Sequence, residues 1–101
     1  MKLQIQSIHF TADQKLLDFI QKKLDKLETF NDRIMEGEVY LHLENTDTPE
    51  NKLVNVKLYL PGTSAIVAKE QASSFEEATD KLYDNLKRQI LKLKDKMQSH
   101  H

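Results

Sequence analysis

The sequence has no cysteine, no tryptophan, and only two glycines and two prolines among its 101 residues. The lack of cysteine excludes disulfides, thiolate nucleophiles and cysteine-ligated zinc, and it leaves the redox compartment undecided. Neither glycine stands in a glycine-rich loop, which disfavours a phosphate-cradling nucleotide site. No apolar run is long enough to span a bilayer, and the opening residues Met1-Lys2-Leu3-Gln4 lack the apolar stretch of a signal peptide. We therefore expect a cytoplasmic protein with no membrane partner.

The histidines and carboxylates do not form a recognisable catalytic or metal-binding pattern, since catalysis needs an activated nucleophile and a metal needs three or four convergent ligands. His42 and Glu44 share a strand face, a spacing that is compatible with a metal but is more often that of two solvated polar side chains. His9 is interpreted as a polar residue at a strand end. His100 and His101 end the chain and are either native or left from a tag. We expect no enzyme, no metal, no cofactor and no small-molecule substrate.

The charge is nearly balanced, with 15 lysines and arginines against 16 aspartates and glutamates. This balance argues against indiscriminate nucleic-acid binding, so binding of that kind would require the charges to be separated on the surface. The length suits one domain over residues 1–101, with an ordered part at about 2–97, a flexible C-terminal tail and a single core.

Four segments have the composition or the alternation of β-strands. The first runs from Leu3 to Phe10, where the alternation slips around Ser7 and indicates a bulge. Apolar and polar residues then alternate over 39–44 and 54–60, and a short apolar segment over 65–68 supplies a fourth strand. Turn-forming residues over 46–51 and 61–63 separate the last three strands.

Two segments have helical periodicity. In the first, Thr11 and Gln14 resemble a capping box, and the apolar residues that follow at helical spacing are Leu16, Ile20, Leu24 and Leu27. The second begins at Ser74, whose hydroxyl with Glu77 can satisfy backbone donors, although Ser73 with Glu76 offers the same box one residue earlier. Its apolar face contains Phe75, Leu82, Leu86, Ile90, Leu93 and Met97.

The order β-α-β-β-β-α, with one apolar stripe on each helix, predicts an α+β fold in which two helices pack on one face of a four-stranded sheet. The other face is expected to be polar and to contain Tyr40, His42, Asn55, Lys57 and Tyr59. The two tyrosines indicate either a structural cross-strand contact or a platform on which RNA bases stack.

Cations crowd into the last turns of the second helix. One stripe beside its apolar face contains Lys81, Arg88, Lys92 and Lys96, while Lys87 and Lys94 flank that face on the other side. On the first helix, Lys15, Lys22 and Lys26 share one sector, and Asp18 and Asp25 share another. Such a pattern suits a polyanion, and the cations near the helix C-terminus equally suit an ordinary solvated helix end.

The sequence resembles the ribosome hibernation factors, the family of the short hibernation-promoting factor and the ribosome-associated inhibitor, also called sigma-54 modulation proteins. The resemblance extends over essentially the whole chain. Its most specific parts are the stretch 19–28 leading to Asp32-Arg33-Ile34, and a second-helix pattern that contains Asp80, Leu82, Leu86, Arg88-Gln89-Ile90, Lys92 and Lys94-Asp95-Lys96. The resemblance implies two parallel helices over the sheet, similar to a double-stranded-RNA-binding domain.

The resemblance also implies a function: binding in the small ribosomal subunit near the decoding region, where mRNA and tRNAs would lie, so that translation stops in resting or stressed cells. The partners implied are the small subunit with its rRNA, whole ribosomes and a separate ribosome-dimerising factor. The rRNA-facing cations carried over by position are Lys23, Lys26, Arg88, Lys92, Lys94 and Lys96. Lys22 and Lys87 are added on charge alone.

Two departures from the family pattern stand out. Asn85 occupies a position where related chains often carry lysine, and the sequence ends after the second helix, as in the short members. Two alternatives stay open. One is a protein–protein interaction module that uses an exposed sheet edge, and the other is a general binder of double-stranded RNA.

Overall fold

The computed structural model describes residues 1–45 and 47–98, with the backbone alone for 94–98. Its elements follow the predicted order and confirm the α+β class. They are β1 (Lys2–Ile8), α1 (Gln14–Asp25) with a 3₁₀ turn (Lys26–Thr29), β2 (Glu36–Leu43), β3 (Lys52–Tyr59), β4 (Ile66–Ala72) and α2 (Phe75–Gln98). In the part of the chain described, no helix is long and apolar enough to cross a membrane.

The four strands form one mixed sheet in the order β1-β2-β3-β4. β1 pairs with β2 in parallel, which requires α1 as a crossover, and the other two pairs are antiparallel. One cross-strand row on the inner face runs through Ile5, Val39, Val56 and Ala68. Helices and inner sheet face share one core. Gly37 belongs to this face, where an added Cβ would lie 2.7 Å from the side chain of Leu58.

The bulge expected in β1 is absent. Pairing with β2 is continuous from Lys2 opposite Glu36 to Ile8 opposite His42. The alternation slips because Ser7 occupies an inner position, where its hydroxyl accepts a hydrogen bond from the backbone of the β1–α1 connection, and Ile8 faces outward. His9 then turns the chain with a left-handed backbone, φ 67°.

Residues other than those predicted cap the first helix. The N-cap of α1 is Asp13, whose carboxylate accepts the backbone N–H of Leu16 at 2.8 Å, so the Thr11–Gln14 box is wrong. An aspartate one residue before the first helical turn satisfies the same orphan donor that the threonine was expected to satisfy. The apolar stripe is confirmed, because Leu16, Ile20, Leu24 and Leu27 are buried.

The start of α2 is confirmed at Ser74, whose Oγ accepts the backbone N–H of Glu77 at 3.1 Å. Ser73 instead donates its hydroxyl to the Glu77 carboxylate. Four of the six predicted core residues of this helix are buried and Leu93 is partly buried, while the side chain of Met97 lies outside the described residues. β4 continues to Ala72, four residues beyond the predicted apolar segment.

The two helices lie side by side and point the same way. Contacts step along both in register: Lys23 meets Asp80 and Tyr83, and seven residues later Phe30 meets Lys87. At about 1.5 Å per residue, the 24 residues of α2 extend about 36 Å, twice the length of the 12-residue α1. The second half of α2 therefore continues past the turn that ends α1.

Candidate nucleic-acid interface

The seam between the helices holds two of the predicted cations. The Nζ of Lys23 lies 3.2 Å from a carboxylate oxygen of Asp80 and 4.9 Å from the ring centroid of Tyr83. Its side chain is only 26 % exposed. The adjacent carboxylate neutralises most of the field that this ammonium would present to an incoming anion.

Lys87 lies on the same seam in a different environment. Its Nζ sits 4.9 Å from the ring centroid of Phe30, the residue that follows the 3₁₀ turn. A cation over an aromatic ring gains about 0.5–1 kcal/mol at an exposed site and keeps its full charge. Lys87 is therefore positioned by the ring without being neutralised.

Lys22 and Lys26 are exposed on α1 and the 3₁₀ turn, and neither makes an ion pair with a described residue. With Phe19 and Lys23 they line a shallow hollow of about 90 Å³. Asp25, one of the two acids predicted to lie in another sector of this helix, accepts from the Met1 ammonium and the Gln21 amide.

That ammonium contact fixes the acidic side of α1. The Met1 amine pairs with Asp25 at 3.0 Å and also contacts Glu28. The hydrogen bond to Glu28, more than the one to Asp25, raises the pKa of the Met1 amine above its usual value. Both carboxylates are thus engaged on the β1 side, away from the exposed lysines.

Arg88 and Lys92 lie on the other side of α2, about 100° or more around the helix axis from Lys87. Both are exposed, and neither pairs with a described carboxylate. The Nε of Arg88 donates to the backbone oxygen of Asp84 at 3.4 Å. These two cations border an open hollow of about 440 Å³ and leave their charge facing solvent.

Between these cations and the sheet, a row of polar side chains of α2 lies along β4. Asn85 donates to the Glu70 carboxylate at 2.9 Å, and Gln89 donates to the Asn85 amide oxygen and to the backbone oxygen of Val67 at 3.0 Å. Lys81 reaches the backbone oxygen of Gln71 at 3.5 Å. Two outward carbonyls of this edge strand are therefore already satisfied by α2.

Two more predicted site residues, Lys94 and Lys96, have side chains outside the described residues. The backbone of α2 continues through both positions. They remain candidates on the resemblance alone.

On the outer sheet face, the two tyrosines converge on one carboxylate. Tyr40 and Tyr59 each donate a hydroxyl to the carboxylate of Glu38 at 3.1 Å, and Lys57 lies over the ring of Tyr59. The hydrogen bond to Glu38 raises the pKa of Tyr40 above its usual value. A carboxylate held between the two rings repels phosphate, which disfavours base stacking at this place.

The same face contains no metal site in the described part of the chain, where no three histidine or acidic residues come together. His42 instead lies in a cross-strand row with Leu53, an apolar residue of this face that is only 6 % exposed. The polar residues predicted for this face lie on it, together with three apolar residues, Ile8, Leu53 and Val67.

Arg33, Phe30 and Tyr83 are not among the predicted site residues. Arg33 is exposed in the loop before β2, and its backbone N–H is held by the Asn31 side chain at 2.9 Å. The sequence shows that Phe30 and Tyr83 lie beside the apolar stripes of their helices. It does not show that each ring contacts a lysine 57 or 60 residues away along the chain.

Known proteins resemble this chain in sequence and in fold. The model of the family described as sigma 54 modulation protein / S30EA ribosomal protein matches residues 3–98. The ribosome hibernation promoting factor of Pseudomonas putida is 31% identical over 99 residues, which cover 98% of this chain and 92% of that protein. The factor of the same name from Escherichia coli is 30% identical over 100 residues, covering 99% and 100%.

A solved structure, that of a ribosomal subunit interface protein from Coxiella burnetii, matches the fold with a TM-score of 0.81 at 23% identity. The match covers 94% of this chain and 99% of the Coxiella burnetii chain. These findings confirm the resemblance drawn from the two helical stretches. Because the family model covers nearly the whole sequence and the relatives align along most of their own lengths, this chain belongs to the sigma 54 modulation protein / S30EA ribosomal protein family.

Proposed function

We propose that this protein is a ribosome hibernation factor that binds the small ribosomal subunit near the decoding region and blocks the sites of mRNA and tRNA. Family membership and the names of the relatives support a ribosomal role. The observation that carries the proposal is a set of exposed cations without ion-pair partners among the described residues, on a chain whose net charge is only -1. Among the predicted site residues whose side chains are described, the cations of this kind are Lys22, Lys26, Arg88 and Lys92.

The proposed chemistry is neutralisation of phosphate. Each contact between a cation and a phosphate releases condensed counterions, so log affinity falls by about 0.7 to 0.9 for each log unit of salt and each phosphate engaged. Such contacts fix position without reading base sequence, so the shape of folded rRNA would be recognised. Lys94 and Lys96 extend the same surface in this proposal, and Lys87 adds charge at the seam.

Lys23 has a smaller role in the proposal, because Asp80 already neutralises it. Its main effect would be to hold α1 against α2, so that the exposed lysines of one helix keep a fixed distance from the cations of the other. Whole ribosomes, a separate ribosome-dimerising factor and a cytoplasmic location complete the proposal. No catalytic step is part of it.

The alternative is a module that pairs an added strand with the sheet edge. The satisfied carbonyls of Val67 and Gln71 disfavour this at β4. β1 is the other edge, and no further strand pairs with it among the described residues. The salt dependence of binding distinguishes the two functions. Affinity for phosphate falls steeply with salt, whereas strand pairing depends on backbone hydrogen bonds and responds weakly to ionic strength.

The test is co-sedimentation of the purified protein with small subunits over a range of salt, with and without tRNA bound at the P site. We expect saturable binding that weakens by orders of magnitude over a four-fold rise in salt, and loss of binding to subunits that hold mRNA and tRNA. Binding unaffected by tRNA would contradict the decoding-region site. Binding that hardly responds to salt would contradict phosphate recognition and favour the strand-pairing module.

A further inference from the structure

Two hollows adjoin where the second half of α2 passes the turn between β3 and β4. Thr63 and Leu93 line both of them. The larger, of about 510 Å³, is completed by Ile66, Gln89 and Lys92. The smaller, of about 40 Å³, is completed by Asn31, Arg33, Leu60, Pro61 and Gly62. Together we call them the α2–turn groove, which has Lys92 on one side and Arg33 on the other.

The lining of the α2–turn groove is chemically selective. Neither Arg33 nor Lys92 forms an ion pair with a described residue, and none of the lining residues is acidic. Uncharged hydrogen-bonding groups also line the groove, and the partly exposed Leu93 provides apolar surface. A polyanion with polar sugars and flat apolar bases would use all three kinds of group.

A guanidinium matches phosphate particularly well, since its planar fork can donate two parallel hydrogen bonds. The loop that presents Arg33 is held in place, because the Asn31 side chain accepts the Arg33 backbone N–H at 2.9 Å. The exposed Arg33 side chain is free to turn toward a ligand, while its backbone stays fixed beside Leu60 and the turn.

An acidic peptide is the other polyanion to weigh. The usual way for a peptide to dock beside an edge strand is to extend the sheet. Here the Gln89 amide already donates to the backbone oxygen of Val67, on the side of β4 that borders the groove. A peptide would have to displace this contact, whereas an RNA strand needs no backbone partner in β4.

We infer that the α2–turn groove holds one strand of ribosomal RNA and that Arg33 contacts its phosphate. The inference rests on the proposed function and adds a residue and a second contact region to it. It also predicts that the RNA surface extends beyond the two helices to the loops at one end of the sheet.

The first test compares Arg33→Gln and Arg33→Lys with the control Lys2→Gln, which removes one charge from the outer sheet face. Binding to purified small subunits is measured at several salt concentrations. We expect Arg33→Gln to weaken binding about 5- to 10-fold and to lower the salt slope by about 0.7 to 0.9, the share of one phosphate. Arg33→Lys should retain the slope.

An Arg33→Gln variant that binds as tightly and with the same salt slope as Lys2→Gln would overturn the inference. In that case Lys22→Gln and Lys26→Gln tell whether the proposed function stands, because these lysines lie on α1 and the 3₁₀ turn and do not line the groove. If they weaken binding while Arg33→Gln does not, only the groove is wrong. If the unmodified chain binds no subunits at low salt, the proposed function itself fails.

A second test identifies the polymer in the groove. Because the chain lacks cysteine, Thr63→Cys gives a single thiol, which can carry an azidophenacyl group for photo-crosslinking to small subunits. We expect an adduct that ribonuclease degrades. An adduct with ribosomal protein alone would overturn the RNA assignment in favour of a peptide. No adduct, under conditions where Lys26→Cys gives one, would show that nothing occupies the groove.

Discussion

The seam between the helices and the far side of α2 hold similar numbers of candidate cations in different states. At the seam, Lys23 forms an ion pair with Asp80 and a cation–π contact with Tyr83, and Lys87 lies over the ring of Phe30. On the far side, Arg88 and Lys92 make no ion pair with a described residue. Lys23 therefore mainly holds the helices together and Lys87 is positioned by a ring, whereas the charges of Arg88 and Lys92 are available to a ligand.

This difference follows from where acids lie along α2. The first turns contain four acids, Glu76, Glu77, Asp80 and Asp84, and one cation, Lys81. From Lys87 onward there are five cations and one acid, Asp95. Acids near the N-terminus and cations near the C-terminus are each favourable against the helix macrodipole. Because α1 ends beside the middle of α2, its last turn meets the acidic half, whereas the basic half extends past it. Because a short helix packs in parallel on a long one, Lys23 is paired with an acid while Arg88 and Lys92 remain without an ion-pair partner among the described residues.

The largest expected effect on binding to small subunits comes from reversing the charges of Arg88 and Lys92. Arg88→Glu with Lys92→Glu should weaken binding to small subunits on the order of 100-fold, or about 2.7 kcal/mol, because two phosphate contacts become repulsive. Both positions are exposed and outside the core, so the unfolding free energy should change by no more than about 1 kcal/mol. The measurement is co-sedimentation at moderate salt, with thermal unfolding followed by circular dichroism.

The matched control reverses two exposed lysines of the outer sheet face, Lys2→Glu with Lys69→Glu, which changes the net charge equally. We expect it to weaken binding far less than Arg88→Glu with Lys92→Glu does, because Lys2 and Lys69 lie on the outer face of the sheet, opposite the face that packs against the helices. Equal losses in both double variants would mean that total charge alone, and no particular surface, governs binding.

Asn85→Lys is expected to increase the affinity for small subunits. Asn85 donates to Glu70, a carboxylate beside the Arg88–Lys92 surface that has no cationic partner among the described residues. A lysine there would neutralise Glu70 and remove its repulsion of phosphate, so binding to small subunits should tighten about two- to five-fold, worth about 0.4–0.9 kcal/mol.

The control for this gain is Glu70→Gln, which removes the same negative charge while keeping a partner for the Asn85 amide. It should give a similar gain if the repulsion is the cause. If only Asn85→Lys tightens binding, the new ammonium itself contacts phosphate, and the surface includes the β4 side of α2.

Much of this arrangement was predictable from the sequence, because helical angles place Lys87 and Arg88 on different sides of α2 and alternation places Val39 and Val56 inward. The errors have local causes. Ser7 on the inner face imitated a bulge, and β4 was cut short because Glu70 and Gln71 lack the apolar pattern, although α2 side chains bind that edge.

The candidate site was less predictable than the fold. Spacing along one helix cannot show that Asp80 lies next to Lys23, since 57 residues separate them and only parallel packing brings them together. For the same reason, Arg33 looked like one residue of a turn. Its position beside Leu93 depends on how far α2 extends past the loops, which is a property of the assembled core.

The smallest effect on binding is expected at Lys23, because this cation already forms an ion pair with Asp80. Lys23→Gln should lower the unfolding free energy by about 0.5–1.5 kcal/mol, through loss of a half-exposed ion pair and a cation–π contact. It should change affinity for small subunits less than two-fold, whereas its neighbour Lys22→Gln, with an equal change of charge, should weaken binding several-fold and leave stability unchanged. Asp80→Asn, which frees Lys23, should tighten binding slightly. If Lys23→Gln instead weakens binding as much as Lys22→Gln does, then Lys23 leaves Asp80 when RNA binds, and the seam is a contact surface as well as a brace.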